Sequence, residues 1–152
     1  MTNQSKEAYV QTVLIERGMS IPENKQVIQE LITDVVNRKQ HDAVSEYCHD
    51  DVVMHRPGGR EEVGVKAYVA HFRRLHDAFP DFDATVRDIF AEGTRVAVRL
   101  ELTGTHDGEL FGVTATGKRV AFTAQIIYRL QNGQVVEEWH ESDRLSMLKQ
   151  ID

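Results

Sequence analysis

The sequence has little cysteine, no long apolar run and no clustered positive charge. Cys48 is the only cysteine among 152 residues, which excludes an internal disulfide and a thiolate metal cluster and is typical of a reducing cytoplasm. No apolar run approaches the ~18 residues of a membrane span, and residues 1–9 lack the apolar core of a signal peptide. We therefore expect a cytoplasmic location and no membrane partner.

The charge balance is acidic, with 18 Lys and Arg against 24 Asp and Glu and a formal net charge of -6. Nucleic-acid binding requires a clustered basic footprint, whereas the basic residues here are scattered. The composition therefore predicts no nucleic-acid partner. With 41% hydrophobic and 28% charged residues, the chain is typical of one globular domain with a substantial core.

The apolar pattern changes along the chain from a helical period to a strand period. Helical stripes over 22–36 and 62–78 are followed by alternation of apolar and polar residues, and Asn132-Gly133 is a strong hairpin signal. Strands are predicted near 82–90, 94–105, 118–130 and 134–142, before a short tail helix. This order predicts an α+β fold, with a curved, mainly antiparallel sheet wrapped on N-terminal helices around one pocket. Residues 1–21 are interpreted as an accessory arm, and residues 22–152 as the domain.

Several short motifs occur in an ordered set between about Glu23 and Ile151. They are Asn24-Lys25, Pro80-Asp81-Phe82, Gly104-Thr105-His106, Gly108-Glu109, Gly112, Thr116-Gly117-Lys118, Gly133, Val136-Glu137-Glu138-Trp139 and Asp143 before Leu145 and Leu148. Together they resemble the SnoaL-like polyketide and ester cyclases of the nuclear transport factor 2-like superfamily. The resemblance implies a cone-shaped, cystatin-like α+β barrel, homodimers through the exposed sheet face, and catalysis without a metal or organic cofactor.

Asp143 is the strongest candidate for a catalytic residue. Alternation along the last strand places Asp143 on one face with Glu137, Trp139 and Glu141. In the enzymes that the sequence resembles, an Asp four residues after this Trp removes a proton from a carbon flanked by carbonyls and later returns one to the aldol oxygen. Such a carboxyl group needs an apolar setting that raises its pKa. The alternative is that Asp143 caps the tail helix.

Five further residues are predicted to belong to the site. His55 would hydrogen-bond a substrate carbonyl or hold Asp143, although a strand-end histidine is also commonly solvated. Gln125 lies in an otherwise apolar strand, which favours a position facing the cavity. Trp139 is interpreted as an apolar wall and His106 as a lid or a simple turn residue. Glu141, or alternatively Glu137, would be a second carboxylate that shares the pocket with Asp143.

Two functions follow from these residues. The first is a cofactor-independent enzyme acting on a small apolar carbonyl compound by aldol-type cyclisation, isomerisation or hydration. The alternative is a non-catalytic small-molecule-binding or dimerisation module on the same fold. No metal is predicted, because His71 and His76 are five residues apart and do not form an i, i+4 zinc pair.

Overall fold

A computed structural model of the chain describes Thr2, residues 4–6 and residues 21–152. The predicted arm over residues 1–21 therefore lies almost entirely outside the described residues and stays a prediction. The helices are α1 (Ile21–Leu31), continued by a π-helical segment (Ile32–Asn37), a 3-10 turn (His41–Ala43), α2 (Val44–Tyr47), α3 (Val65–Ala78) and α4 (Arg144–Ile151). The strands are β1 (Cys48–Arg56), β2 (Arg60–Val63), β3 (Asp83–Glu92), β4 (Arg95–Thr105), β5 (Arg119–Gln131) and β6 (Gln134–Ser142).

The strands form one six-stranded sheet in the order β2-β1-β6-β5-β4-β3. The pairing is antiparallel throughout except between β1 and β6, which run parallel. The predicted α+β fold with a curved, mainly antiparallel sheet is confirmed. The edge strand β2 is a correction, because residues 62–63 were expected to begin the second helix. Gly64, at φ 97, ends this strand and starts α3.

The concave face of the sheet carries the core. In β4 the apolar residues of the predicted alternation, Val96, Val98, Leu100 and Leu102, are all buried. The even-numbered residues of β5 opposite them also point inward, so that one side of the sheet packs against the helices. None of the helices in the described part of the chain is long and apolar enough to cross a membrane.

The hairpin between β5 and β6 contains a β-bulge that decides which side chains face inward. Asn132 and Gly133 occupy the tight turn with positive φ angles of 51° and 74°, as the sequence predicts. Leu130 pairs with Val135, but Arg129 pairs with Glu137, so one residue of β6 is skipped. A one-residue slip moves every later side chain to the opposite face of the strand.

Candidate active site

A mainly apolar cavity lies between the concave face of the sheet and α3. An apolar cavity with a few convergent polar groups is the usual character of a small-molecule site. Most of the lining is aliphatic or aromatic, from Val36, Phe72, Leu75, Phe82, Ala84, Leu100, Leu102, Ala124 and Ile126. The polar side chains that reach this cavity are Arg56, Tyr68, His71, Tyr128, Glu138 and His140.

A buried ion pair forms the polar end of the cavity. Arg56 and Glu138 are only 3% and 2% exposed, and Arg56 Nη1 donates to Glu138 Oε1 at 2.9 Å. The Tyr68 hydroxyl donates to the other carboxylate oxygen at 3.0 Å. Burial raises the pKa of Glu138, while Arg56 and Tyr68 oppose that rise. Because both carboxylate oxygens are bonded, Glu138 holds Arg56 and Tyr68 in fixed positions.

The fold explains why these three residues meet. Arg56 ends β1 and Glu138 lies in the parallel neighbour β6, where Glu138 pairs with Met54. Residues two apart on a strand share a face, so Met54 and Arg56 both point inward. Tyr68 comes from the inward stripe of α3 and is 1% exposed.

His140 lines the same cavity as an uncharged histidine. Burial first, and then the positive charges of Arg56 and Arg144, lower the pKa of His140 to about 3. Arg56 Nη1 donates to His140 Nδ1 at 3.4 Å, so the imidazole proton sits on Nε2. Nε2 is buried and has no hydrogen-bond partner among the described residues. His140 therefore offers an N–H donor to a ligand.

His71 projects from α3 into the cavity and is also uncharged. Burial lowers its pKa well below the usual value, and Arg56, His140, Arg74 and Arg144 lower it further. His71 makes an edge contact with the Phe72 ring, at 5.1 Å between centroids, but no hydrogen bond within the described part of the chain. An uncharged imidazole of this kind has an available lone pair, but its lowered pKa makes it a weak base that accepts a proton only as a neighbouring anion develops and offsets the arginine charges.

Asp143 lies outside this cavity, which corrects its predicted position. Its side chain is exposed, and Oδ1 accepts a hydrogen bond from the backbone N–H of Ser146 at 3.1 Å. This is the N-cap geometry of α4, the alternative interpretation of this residue. Nothing desolvates the carboxylate, so the structure does not support Asp143 as an acid/base group.

His55, Gln125, Trp139 and Glu141 lie on the outer, convex face of the sheet, not in the cavity as predicted. His55 Nε2 is 2.7 Å from Glu137 Oε2, and the His55 ring stacks on Trp139 at 5.4 Å between centroids. Gln125, Trp139 and Glu141 line a shallow depression of that face.

For Trp139 and Glu141 on β6, the reason for this reversal is the bulge in the last hairpin, whereas Gln125 takes an outward, odd-numbered position of β5. An unbroken two-residue hairpin would place Trp139 opposite the inward residue Ile126, whereas the bulge places His140 there. The alternation along β6 was predicted correctly, but its inward and outward faces were exchanged.

His106 is completely buried but does not line the cavity. Its Nδ1 lies 3.0 Å from Thr116 Oγ1, and its ring lies 5.9 Å from the Phe79 ring centroid. The backbone of His106 also pairs with Lys118 and Gly117. In this position His106 fixes the end of β4 to the loop that follows, and the predicted role as a lid is not supported.

The cavity residues Arg56, Tyr68, His71, Glu138 and His140 were missed as candidates. A signal for two of them was present. Arg56 follows Val52 and Met54 at a period of two, and Tyr68 lies within an apolar helical stripe. Polar side chains in such apolar patterns are buried only if they find partners. Within the described residues, no three His, Cys, Asp or Glu side chains are grouped to hold a metal ion.

An α+β cone that encloses an apolar cavity with a buried polar network defines a class of small-molecule proteins. The model of the SnoaL-like polyketide cyclase family matches residues 26–151, and the chain belongs to this family. A search of curated proteins gives no match.

Solved structures agree with this assignment. AclR from Streptomyces galilaeus, described as a candidate hydroxylase, is 30% identical and has a TM-score of 0.78, over 87% of this chain and 97% of that one. IdmH from Streptomyces antibioticus, described as a candidate polyketide cyclase, is 30% identical with a TM-score of 0.76, over 84% and 97%. A candidate SnoaL-like polyketide cyclase from Jannaschia sp. CCS1 shares the fold, with a TM-score of 0.81 at 23% identity over 86% and 92%.

Proposed function

We propose that the chain is a cofactor-independent enzyme that transfers protons on a small apolar carbonyl compound, as in aldol-type polyketide cyclisation or a related isomerisation or hydration. The observation that carries the proposal is the position of two uncharged histidines, His71 and His140, beside the buried Arg56–Glu138 pair in an apolar cavity. This combination supplies a proton acceptor, a proton donor and a fixed positive charge within one small volume.

In the proposed reaction, His71 accepts a proton from a carbon next to the substrate carbonyl. The electrons of that C–H bond form an enolate, whose oxygen accepts a hydrogen bond from His140 Nε2–H. The enolate carbon then bonds to a second carbonyl carbon of the same molecule. The resulting alkoxide takes the proton back from His71, so protons balance and no oxidant is needed.

Electrostatics favour the enolate in this cavity. The guanidinium groups of Arg56 and Arg144 disfavour protonation of His140, and the same positive field stabilises a developing anion. Low dielectric strengthens this interaction because little water competes inside the cavity. Glu138 and Tyr68 are positioning residues, since they orient Arg56 and need not contact the substrate.

The alternative, a non-catalytic binding module, is favoured by one observation. Asp143, the carboxylate that the family resemblance makes the acid/base, is exposed and caps α4. Under this alternative the cavity binds the same class of ligand but accelerates no proton transfer. The two functions therefore predict the same class of bound ligand, and they differ in whether the protein accelerates proton transfer on it.

A deuterium-exchange experiment distinguishes the enzyme from the binding module. Exchange at the C–H positions next to the carbonyl of 2-tetralone is followed by proton NMR in D₂O. We expect the wild-type protein to accelerate exchange, and His71→Gln or His140→Gln to reduce the acceleration by about 100-fold, as for the loss of a general acid or base. The matched control is His49→Gln, because His49 is exposed and does not line the cavity.

The exchange experiment has two decisive outcomes. A loss confined to the His71 and His140 variants, with unchanged circular dichroism, supports the enzyme. Binding of 2-tetralone without any acceleration over buffer would leave only the binding module.

We further propose a homodimer through the outer face of the sheet and a cytoplasmic location. Phe90 and Ile127 are 68% and 44% exposed on this face, next to Trp139. Two large apolar side chains in one shallow depression are typical of an interaction surface. Cys48 is free and buried, in keeping with a reducing compartment.

A further inference from the structure

The mouth of the cavity carries three arginines, and of these the proposed reaction uses only the electrostatic field of Arg144. A second concave region shares His71 and Leu75 with the cavity, and Arg60, Arg74 and Arg144 line it. A ligand that enters the cavity past His71 therefore passes these guanidinium groups.

Arg144 is the least compensated of the three. It is half-buried, and no carboxylate pairs with it within the described part of the chain. Its contact is with the Phe111 ring, whose centroid lies 5.4 Å below the guanidinium carbon. Burial and the nearby charges of Arg60 and Arg56 lower the pKa of Arg144, while the carboxylates of Glu141 and Glu62 oppose this shift only in part.

Acidic residues lie near these arginines, but none of those described forms an ion pair with Arg144. Glu62 lies 3.3 Å from Arg60, 3.6 Å from Arg56 and 3.9 Å from Arg74, so its carboxylate is shared among three guanidinium groups. Asp77 and Glu109 lie on the rim, and Glu109 already accepts a hydrogen bond from the backbone N–H of Gly112 at 2.5 Å. An unpaired, partly buried guanidinium has a strong preference for an anion that can accept two hydrogen bonds.

The loop that carries Phe111 is held firmly at the mouth. Asp107 and Gly108 donate backbone hydrogen bonds to the carbonyl of Ala78 at 3.0 and 3.1 Å. A side chain at Gly108 would place its Cβ 2.1 Å from the Asp77 carbonyl oxygen, so only glycine permits this approach. Phe111 is nevertheless 57% exposed, which leaves an aromatic ring available beside Arg144.

From this arrangement we infer that the substrate carries an anionic group, with a carboxylate as the simplest case. The carboxylate binds Arg144 at the mouth, with Arg60 and Arg74 adding longer-range attraction. The apolar body of the substrate contacts Phe111 and Leu75, and its carbonyl end reaches His140. This inference rests on the proposed function, because it names the substrate class of the same cavity.

A pair of probes that differ only in charge tests the inference. They are 4-oxo-4-phenylbutanoate and its methyl ester, with affinities measured by calorimetry and cavity occupancy by the NMR signals of the His71 and His140 rings. We expect the acid to bind about tenfold more tightly than the ester at low salt, as for one charge-assisted contact, and this preference to weaken with added salt.

Variants of two adjacent arginines provide a matched control. Arg73 and Arg74 both lie on α3. Arg74 lines the mouth, whereas Arg73 lines a different groove with Lys39 and Glu46. Arg144→Gln should remove most of the preference for the acid, and Arg74→Gln a smaller part. Arg73→Gln, which removes the same charge, should change neither affinity. Arg74→Gln also keeps the test valid if Arg144→Gln disturbs α4.

Three outcomes are decisive. A preference for the acid that depends on Arg144 and Arg74 supports the inference. Equal binding of acid and ester, with shifts of both histidine signals, overturns the anionic substrate but leaves the proposed function intact. If neither probe binds or shifts these signals, both proposals fail.

Discussion

At the scale of single residues, the cavity depends on keeping His140 uncharged. Its pKa of about 3 in the folded protein is far below the ordinary value of 6.5, because burial and Arg56 disfavour the imidazolium form. A group with a lowered folded pKa contributes stability that is present above its unfolded pKa and lost as pH falls toward the folded value. The folded protein should therefore lose this contribution between pH 6.5 and 3.

The predicted size of that loss is measurable. From pH 7 to pH 5, His140 alone should cost about 2 kcal/mol of unfolding free energy, and His71 acts in the same direction. Urea unfolding at both pH values should show a smaller loss for His140→Gln than for the wild type. His49→Gln should keep the full dependence. Because Glu138 titrates in the opposite direction, the informative quantity is the difference between variants. Equal losses in all three proteins would contradict a buried uncharged His140.

At the scale of secondary-structure elements, the sequence predicts where the strands lie better than it predicts which side chains point into the cavity. The strands at 83–92, 95–105, 119–131 and 134–142 lie within a few residues of their predicted ranges. Alternation and the Asn132-Gly133 turn are local signals, and local signals are sufficient for such elements. Strand β2 was missed because four residues carry too little pattern, and its formation depends on pairing with β1.

The candidate site was harder to predict because it depends on one skipped residue. The bulge between Arg129 and Leu130 is a property of pairing, and nothing in the periodicity of β6 distinguishes it from an unbroken ladder. Asp143 and Trp139 were therefore placed on the wrong side, and Glu138 and His140 were overlooked. The parallel contact of β1 with β6, which brings Arg56 to Glu138, is also a long-range feature that no local pattern contains.

The tail helix α4 gives a direct test of the corrected position of Asp143. Asp143→Ala should lower the unfolding free energy by about 1 kcal/mol, because Ser146 N–H loses its partner at the helix start. Asp143→Asn should be nearly neutral, since asparagine is an equally good N-cap. Both variants should retain the deuterium exchange of the wild type. A large loss of exchange in a stable Asp143→Asn protein would restore Asp143 as the catalytic group.

At the scale of the whole molecule, the curved sheet presents two faces of different character. The concave face and the helices enclose the cavity. The convex face has an apolar centre and a charged rim, which includes the Arg99–Asp88 pair at 2.5 Å and Arg95 above the Trp139 ring at 5.7 Å. An apolar centre within a polar rim is the usual anatomy of a protein interface.

A dimer through this face should therefore form without contributing to the cavity. Light scattering after gel filtration should give the mass of two chains for the wild type, and of one chain for Phe90→Glu and Ile127→Glu, because each places a charge at the apolar centre. Leu145→Glu is the matched control, since Leu145 is 65% exposed but lies on α4. The monomeric variants should keep their deuterium exchange, because neither Phe90 nor Ile127 lines the cavity. A dimer that survives both substitutions would show that association uses another surface, and loss of exchange on dissociation would show that the cavity is supported across the interface.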